Sequence, residues 1–313
     1  MRISEVDEAA LLGAFVPHLP KGRQTLLGPG DDCAVLRAPD SRYVVTTDML
    51  VEGSHFKCEW STPRQIGARA AAQNLADVAA MGAFPTGIVC SLCLREDLQV
   101  DWLVEFAKGL ADRCGPAGCG VVGGDLTRGP AIAISITAFG DLRGQTAVVR
   151  SGAKVGDQIV VAGTLGMSSC GLEIVSQGAS PADPAEAESV SIFLAPKPPL
   201  HMGPELAKLG AHAMMDVSDG LVKDARRMGK ASGVAMALES AELEYFSSLL
   251  PSNCTRPLDK ILTGGEDHAL LATLPKELQL PEGLRAVGTV KVGEGVYLDG
   301  ELISVSGGWE SYR

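Results

Sequence analysis

The stretch GPGDDCAVLRAPDSRYVVTTD, residues 28–48, sets Asp31, Asp32 and Asp48 at the ends of two short apolar runs. The runs, residues 33–36 and 42–47, flank Pro39-Asp40-Ser41. Apolar, β-branched segments on either side of such a tripeptide predict a hairpin. A hairpin would bring Asp31 and Asp32, at the mouth of the first strand, close to Asp48 at the end of the second. At an effective dielectric of about 20, two such charges roughly 4 Å apart repel by about 4 kcal/mol. A fold that gathers them needs a cation.

The acidic punctuation recurs beside glycine or at the edge of apolar runs. It appears as Asn74-Leu75-Ala76-Asp77, Gly123-Gly124-Asp125, Asp216-Val217-Ser218-Asp219-Gly220 and Gly264-Gly265-Glu266-Asp267. Hard oxygen donors without a matching set of histidines or thiolates suit Mg²⁺ better than zinc. Magnesium in turn points to phosphates.

A chain of 313 residues predicts two domains, because single cores stop growing near ~250–300 residues. Its 37 glycines and 4% aromatic content predict α/β layers rich in turns. No apolar run reaches the roughly 18 residues of a membrane span, and Met1-Arg2-Ile3-Ser4-Glu5 lacks a signal-peptide core, so the expected location is cytoplasmic, with no membrane partner. A formal charge of −11 argues against a nucleic-acid partner, which would demand a basic patch. It does not exclude phosphate substrates, since metal ions bridge carboxylates to phosphates. The eight cysteines are expected as reduced thiols without a metal or redox role; Cys90 and Cys93 form a Cys-x-x-Cys inside an apolar run, with no second pair to complete a zinc site.

Along the chain, residues 5–19 predict an amphipathic helix and Pro63 opens an alanine-rich helix running to Met81. On that helix Gln73, Asn74 and Asp77 share a face, readable as a solvated stripe or as a way of presenting Asp77 under the acidic hairpin. Residues 86–94 and 131–140 read as strands and 100–113 as a helix, with Gly123-Gly124-Asp125 readable as an ordinary glycine turn or as a place where the backbone approaches a ligand closely. The domain boundary is placed near residues 141–150. Beyond it, residues 158–163 read as a strand, 178–188 as a mobile Pro/Ala/acidic segment, and 211–215 as an apolar run closed by Asp216. Ser218 is expected to cap the following helix, with Asp219 in its first turn.

In order, these motifs resemble the thiamine-monophosphate kinase family of the aminoimidazole-ribonucleotide-synthetase-like superfamily. The resemblance rests on Gly28-Pro29-Gly30-Asp31-Asp32, the run Thr46–Gly53 with His55-Phe56, Asn74–Ala83, Gly123-Gly124-Asp125 with Thr127–Pro130, Arg150–Ala153, Asp216–Leu221 and Gly265-Glu266-Asp267. It implies an α/β (α+β) two-domain fold: an N-terminal ATP- and metal-binding domain, residues 1–145, whose sheet pairs across a homodimer, and a C-terminal domain, residues 146–313, that closes the cleft. It also implies transfer of the ATP γ-phosphoryl group to thiamine monophosphate, giving thiamine diphosphate and ADP with several Mg²⁺.

Carried over by position, the metal ligands are Asp32, Thr46, Thr47, Asp48, Asp77, Asp125, Asp216 and Asp219, with Asp31 a neighbour. ATP contacts fall to Gly124, Asp125, Arg150 and Ser218, and substrate contacts to His55, Glu266 and Trp309. Asp48, Asp125, Asp216 and Arg150 form the catalytic set. No Gly-x-x-x-x-Gly-Lys-[Ser/Thr] is present, so phosphates are not held by a P-loop. The chain departs from the family at Ala117-Gly118, where the family has Tyr-Gly, and at His268-Ala269, where it has Tyr-Glu. The alternatives are another ATP-using member, of the aminoimidazole ribonucleotide synthetase or selenophosphate synthetase type, and an inactive nucleotide-binding scaffold.

Overall fold

Leu11 and Phe15, four apart and both buried, anchor the first helix, α1 (Glu8–Phe15), in the computed structural model, which describes Arg2 and residues 8–27 and 35–304. The expected helix over 5–19 is thus shorter at its C-terminal end. Pro17 follows, and the chain tightens into a 3₁₀ turn over Val16–His18. Two short strands come next, β1 (Thr25–Leu27) and β2 (Val35–Leu36), paired antiparallel.

The first sheet is built from β3 (Val44–Val51), helix α2 (Pro63–Ala80), β4 (Phe84–Leu94), helix α3 (Val100–Ala117), β5 (Gly120–Arg128) and β6 (Ala133–Asp141), with strand order β3-β6-β4-β5. The predicted hairpin does not form. β2 pairs with β1, whereas β3 runs antiparallel to β6 over its full length, from Val44 opposite Gly140 to Val51 opposite Ala133. An eight-residue ladder outcompetes anything the two residues of β2 could offer β3. The Pro39–Ser41 turn is diverted accordingly: Asp40 accepts from Gly144 N at 3.1 Å and pairs with Arg42 at 2.7 Å, and Ser41 takes φ 62°. Asp31 and Asp32 fall in the β1–β2 connection, outside the described residues, and Asp48 lies within β3 rather than at its end.

One face of this sheet is closed. Ile134, Ile136, Ala138, Ile88 and Leu92 are buried, as are Leu75, Ala76, Val78 and Ala79 of α2 and Leu103, Phe106 and Leu110 of α3. Small alanines let α2 lie close to the strands. The opposite face carries Val45 and Met49, 60% and 56% exposed, with Ser91 and Asp125 also exposed.

The second sheet contains β7 (Gln158–Ala162), β8 (Ala213–Val217), β9 (Ala235–Leu238), β10 (Ala269–Leu274), β11 (Leu284–Lys291), β12 (Val296–Leu298) and β13 (Glu301–Leu302), in the order β13-β12-β9-β11-β7-β10-β8. Between these strands run α4 (Met167–Ser176), α5 (Pro184–Leu194), α6 (Met202–Lys208), α7 (Leu221–Ser232), α8 (Ser240–Leu249) and α9 (Pro257–Thr263). Both faces of this sheet are covered: Ile159 and Val161 join one core cluster, Val160 and Ala162 the other. Continuous apolar runs such as Ala269–Leu274, buried at every position, follow from two-sided burial. The segment expected to be mobile over 178–188 is helical from Pro184, because Asp183 caps α5 by accepting from Glu186 N at 2.9 Å.

The chain divides into two compact units, residues 1–79 with 83–144, and residues 80–82 with 145–313. Among the described residues, no helix is long and apolar enough to cross a membrane.

Candidate active site

In the first unit, strand alternation sends Thr46 and Asp48 to the helix-covered face of the sheet. Thr46 Oγ1 donates to Asp77 Oδ2 at 2.8 Å, which ties β3 to α2. The face holding Gln73, Asn74 and Asp77 is therefore no solvated stripe; Asn74 is buried and donates to Ala70 O at 3.0 Å. Thr47 points the other way, donating to Ile136 O and accepting from Thr137 Oγ1. His55 sits just past the end of β3, where its Nδ1 accepts from Val51 N at 3.0 Å. That bond leaves the ring proton on Nε2.

Gly123-Gly124-Asp125 is not a turn. It lies inside β5, just after a bulge opposite Ile88 and Val89. A Cβ at Gly124 would collide with the Cys90 carbonyl, so the glycine serves close strand approach. Asp125 pairs in register with Ser91 and thus faces the open side. Asp48 and Asp125 belong to opposite edge strands and opposite faces, separated by three strand spacings, about 14 Å. Within one copy they do not share an ion.

In the second unit, Asp216 is buried in β8, one residue before the strand ends, and Asp219 and Gly220 form the turn into α7. Ser218 is not the cap. Gly220, at φ 114°, takes the N-cap position, and any side chain there would meet the Thr263 carbonyl. The strand-to-helix link has two residues more than a Ser218 cap would need, so the hydroxyl precedes the first turn. The Ser218 carbonyl accepts from Glu266 N at 2.8 Å, holding the 264–268 segment against the turn.

Two carboxylates missed in the sequence complete this region. Asp224, fully buried, accepts from Asp219 N at 3.0 Å and pairs with Arg227 at 2.7 Å. Burial, and then the negative charge of Asp216, push it up to about 6. Asp219 itself pairs with Lys223 at 3.0 Å and Arg227 at 2.6 Å. The four-residue spacing of Asp219, Lys223 and Arg227 in the sequence accounts for these pairs, though it does not mark Asp224. Asp267, quoted only as part of a motif, is buried and accepts from Thr164 Oγ1, Gly166 N and Ser168 N at 3.0, 3.0 and 3.3 Å. Burial outweighs these bonds and raises it to about 7.

Glu266 and His268, on either side, take φ of 69° and 52°. His268 Nδ1 stands 3.4 Å from Asp216 Oδ2, and its Nε2 is 4.0 Å from Glu266 Oε2. The family departure at His268 thus bridges two candidate site residues. Arg150 is exposed; its carbonyl accepts from Ser232 Oγ at 2.9 Å, which also takes the Ala153 N–H and fastens the Arg150–Ala153 loop to the end of α7. Trp309 lies outside the described residues.

Among the described residues, no cluster of three or more His, Cys, Asp or Glu forms a ready-made metal cage. The donors do fit Mg²⁺, which typically takes one or two carboxylates and completes its shell with water and phosphate oxygens. Asp216 and Asp219 set two hard carboxylates within one strand-to-helix turn, the kind of donor that Mg²⁺ takes.

Two α/β units with these sheets define the AIR synthase related class: its N-terminal domain profile matches residues 30–142 and its C-terminal domain profile residues 154–295. A thiamine-monophosphate kinase of Mycobacterium tuberculosis is 40% identical over 308 residues, 96% of this chain and 91% of that protein. The crystal structure of the Stenotrophomonas maltophilia thiamine-monophosphate kinase matches with a TM-score of 0.82 at 33% identity, covering 94% of this chain and 96% of that one. AaThiL, solved in complex with AMPPCP and TMP, matches with a TM-score of 0.80 at 32% identity over 100% and 99% of the two chains. The chain belongs to the thiamine-monophosphate kinase family.

Proposed function

We propose that this enzyme transfers the γ-phosphoryl group of ATP to the phosphate of thiamine monophosphate, releasing thiamine diphosphate and ADP. The observation that carries the reading is the match, along essentially the whole of both chains, to a relative solved with AMPPCP and TMP. The acceptor phosphate oxygen is already charged, so the protein needs no nucleophile of its own; its task is positioning and charge neutralisation. In the first unit Thr46, Asp48 and Asp77, with Asp32, would hold Mg²⁺; in the second unit Asp216 and Asp219 would do so. Bound there, Mg²⁺ would supply positive charge to offset the negative charge that builds during transfer. Gly124, Asp125, Arg150 and Ser218 would contact ATP. His55, through its Nε2–H, together with Glu266 and Trp309, would contact thiamine monophosphate.

The assembly proposed is a homodimer formed through the open face of the first sheet. Exposed Val45 and Met49 lie on that face beside polar Thr47 and Asp125. Asp125, exposed on that same face, would then lie at the contact between the copies. The same reading implies a cytoplasmic enzyme. ADP formation with Mg²⁺ tests the acceptor: turnover with thiamine monophosphate alone is expected, whereas turnover only with formylglycinamidine ribonucleotide or selenide would move the chain to another branch of the superfamily. No turnover with any of the three would mark a scaffold.

A further inference from the structure

The Cys170 and Cys254 sulfurs, 84 positions apart in sequence, stand 2.7 Å from each other, against about 2.05 Å in a formed S–S bond. We infer that Cys170 and Cys254 are a peroxide-sensitive thiol pair, a modification site that on oxidation fastens α4 to the segment ahead of α9.

The geometry is held by neighbours on both sides of Cys254. Asn253 Nδ2 donates to Glu186 Oε1 of α5 at 2.6 Å, and Thr255 Oγ1 donates to Glu173 Oε1 of α4 at 3.3 Å. Glu173 lies one turn beyond Cys170 on the same helix face and also pairs with Lys260 of α9 at 2.6 Å. Cys254 is therefore pinned opposite Cys170 by side chains that do not depend on the sulfurs. Access is one-sided: Cys170 is buried, while Cys254 is half-buried. Burial, and then the bond to Cys254, push the Cys170 thiol up, so Cys254 is the first to react.

The Cys254 thiolate attacks one oxygen of hydrogen peroxide, forming a sulfenic acid and releasing hydroxide, which takes up a proton to leave as water. The Cys170 sulfur then attacks the sulfenic sulfur, its proton leaves with the expelled hydroxyl as a second water, and the S–S bond closes. Two thiols are oxidised and one peroxide is reduced. The remaining thiols offer contrasts within the chain: Cys114 and Cys119 are both buried, and Cys58 is exposed in the first unit.

The test treats the full chain with equimolar hydrogen peroxide, alkylates remaining thiols, and maps peptides by mass spectrometry without reductant. The expected product is a Cys170–Cys254 cross-linked peptide, two hydrogen masses below the sum of its parts. Closing so long a loop should also raise the melting temperature by roughly 5 °C, reversibly with dithiothreitol. Cys254→Ser should abolish both effects, and Cys170→Ala provides a second variant should the first misfold. Equal alkylation of both cysteines before and after peroxide would overturn the inference. So would consumption of Cys58 with no cross-link, or a peroxide-induced melting shift that persists in Cys254→Ser.

Discussion

The two units handle negative charge in different ways. In the first, Thr46 meets Asp77 on a face shared with Asp48, and Asp125 is exposed on the far side of the sheet. In the second, the carboxylates come with partners built into the same few turns: Lys223 and Arg227 for Asp219, Arg227 for Asp224, and the amides that open α4 for Asp267. The difference teaches where an external cation matters most. In the second unit the ion pairs and amide bonds hold the turn into α7 and the 264–268 segment in place; under the proposed function, the carboxylates beside hydroxyl groups in the first unit would be the ones that respond most to metal.

The sharpest way to break this contrast is Asp48→Asn. Turnover should fall by about two orders of magnitude or more, with the melting temperature little changed. Near-normal turnover at limiting Mg²⁺ would remove Asp48 from the metal site. Next in size is Asp125→Asn, which should raise KM for ATP with the melting temperature little changed, because the side chain is exposed. An unchanged KM would remove Asp125 from the ATP contacts.

Arg150→Lys should raise KM for ATP several-fold, because an ammonium cannot copy a bidentate guanidinium grip on phosphate. An unchanged KM would leave Arg150 a surface residue. Asp267 tests the other half of the comparison. Its folded value of about 7 exceeds the roughly 3.9 of an unfolded aspartate, so the folded chain holds the extra proton. Its contribution is therefore most favourable below about pH 4 and declines as pH rises towards 7, flattening above. Melting curves of Asp267→Asn should lose that part of the slope between pH 4 and 7; an unaltered slope would assign the pH dependence elsewhere. Smallest of all is Ser218→Ala, whose stability should stay within about 0.5 kcal/mol of the parent because Gly220 occupies the cap position.

Most of the architecture was legible where periodicity ran long. Pro63 opens α2, and the strand expected over 86–94 lies within Phe84–Leu94. Local turn chemistry misled where a distant partner decided the outcome. Pro39-Asp40-Ser41 does turn the chain, yet β3 pairs with β6, some ninety residues on, because that ladder is longer. Gly123-Gly124 signalled close approach, but the approaching group is the backbone of β4, and the pair sits in a bulged strand. Ser218 looked like a cap because spacing alone does not reveal which residue can take φ 114°. Asp224 was invisible as a site residue because a single acid in a charged helix carries no pattern of its own; its burial beside Asp216 gives it meaning.

The claim on which the account stands is direct phosphoryl transfer between two phosphates. Phosphorus NMR of the enzyme with ATP and thiamine monophosphate follows it without coupling enzymes. The account predicts a new β-phosphate resonance on thiamine growing in step with ADP, only when a divalent cation is present. Inorganic phosphate appearing in its place, with thiamine monophosphate unchanged, would contradict it.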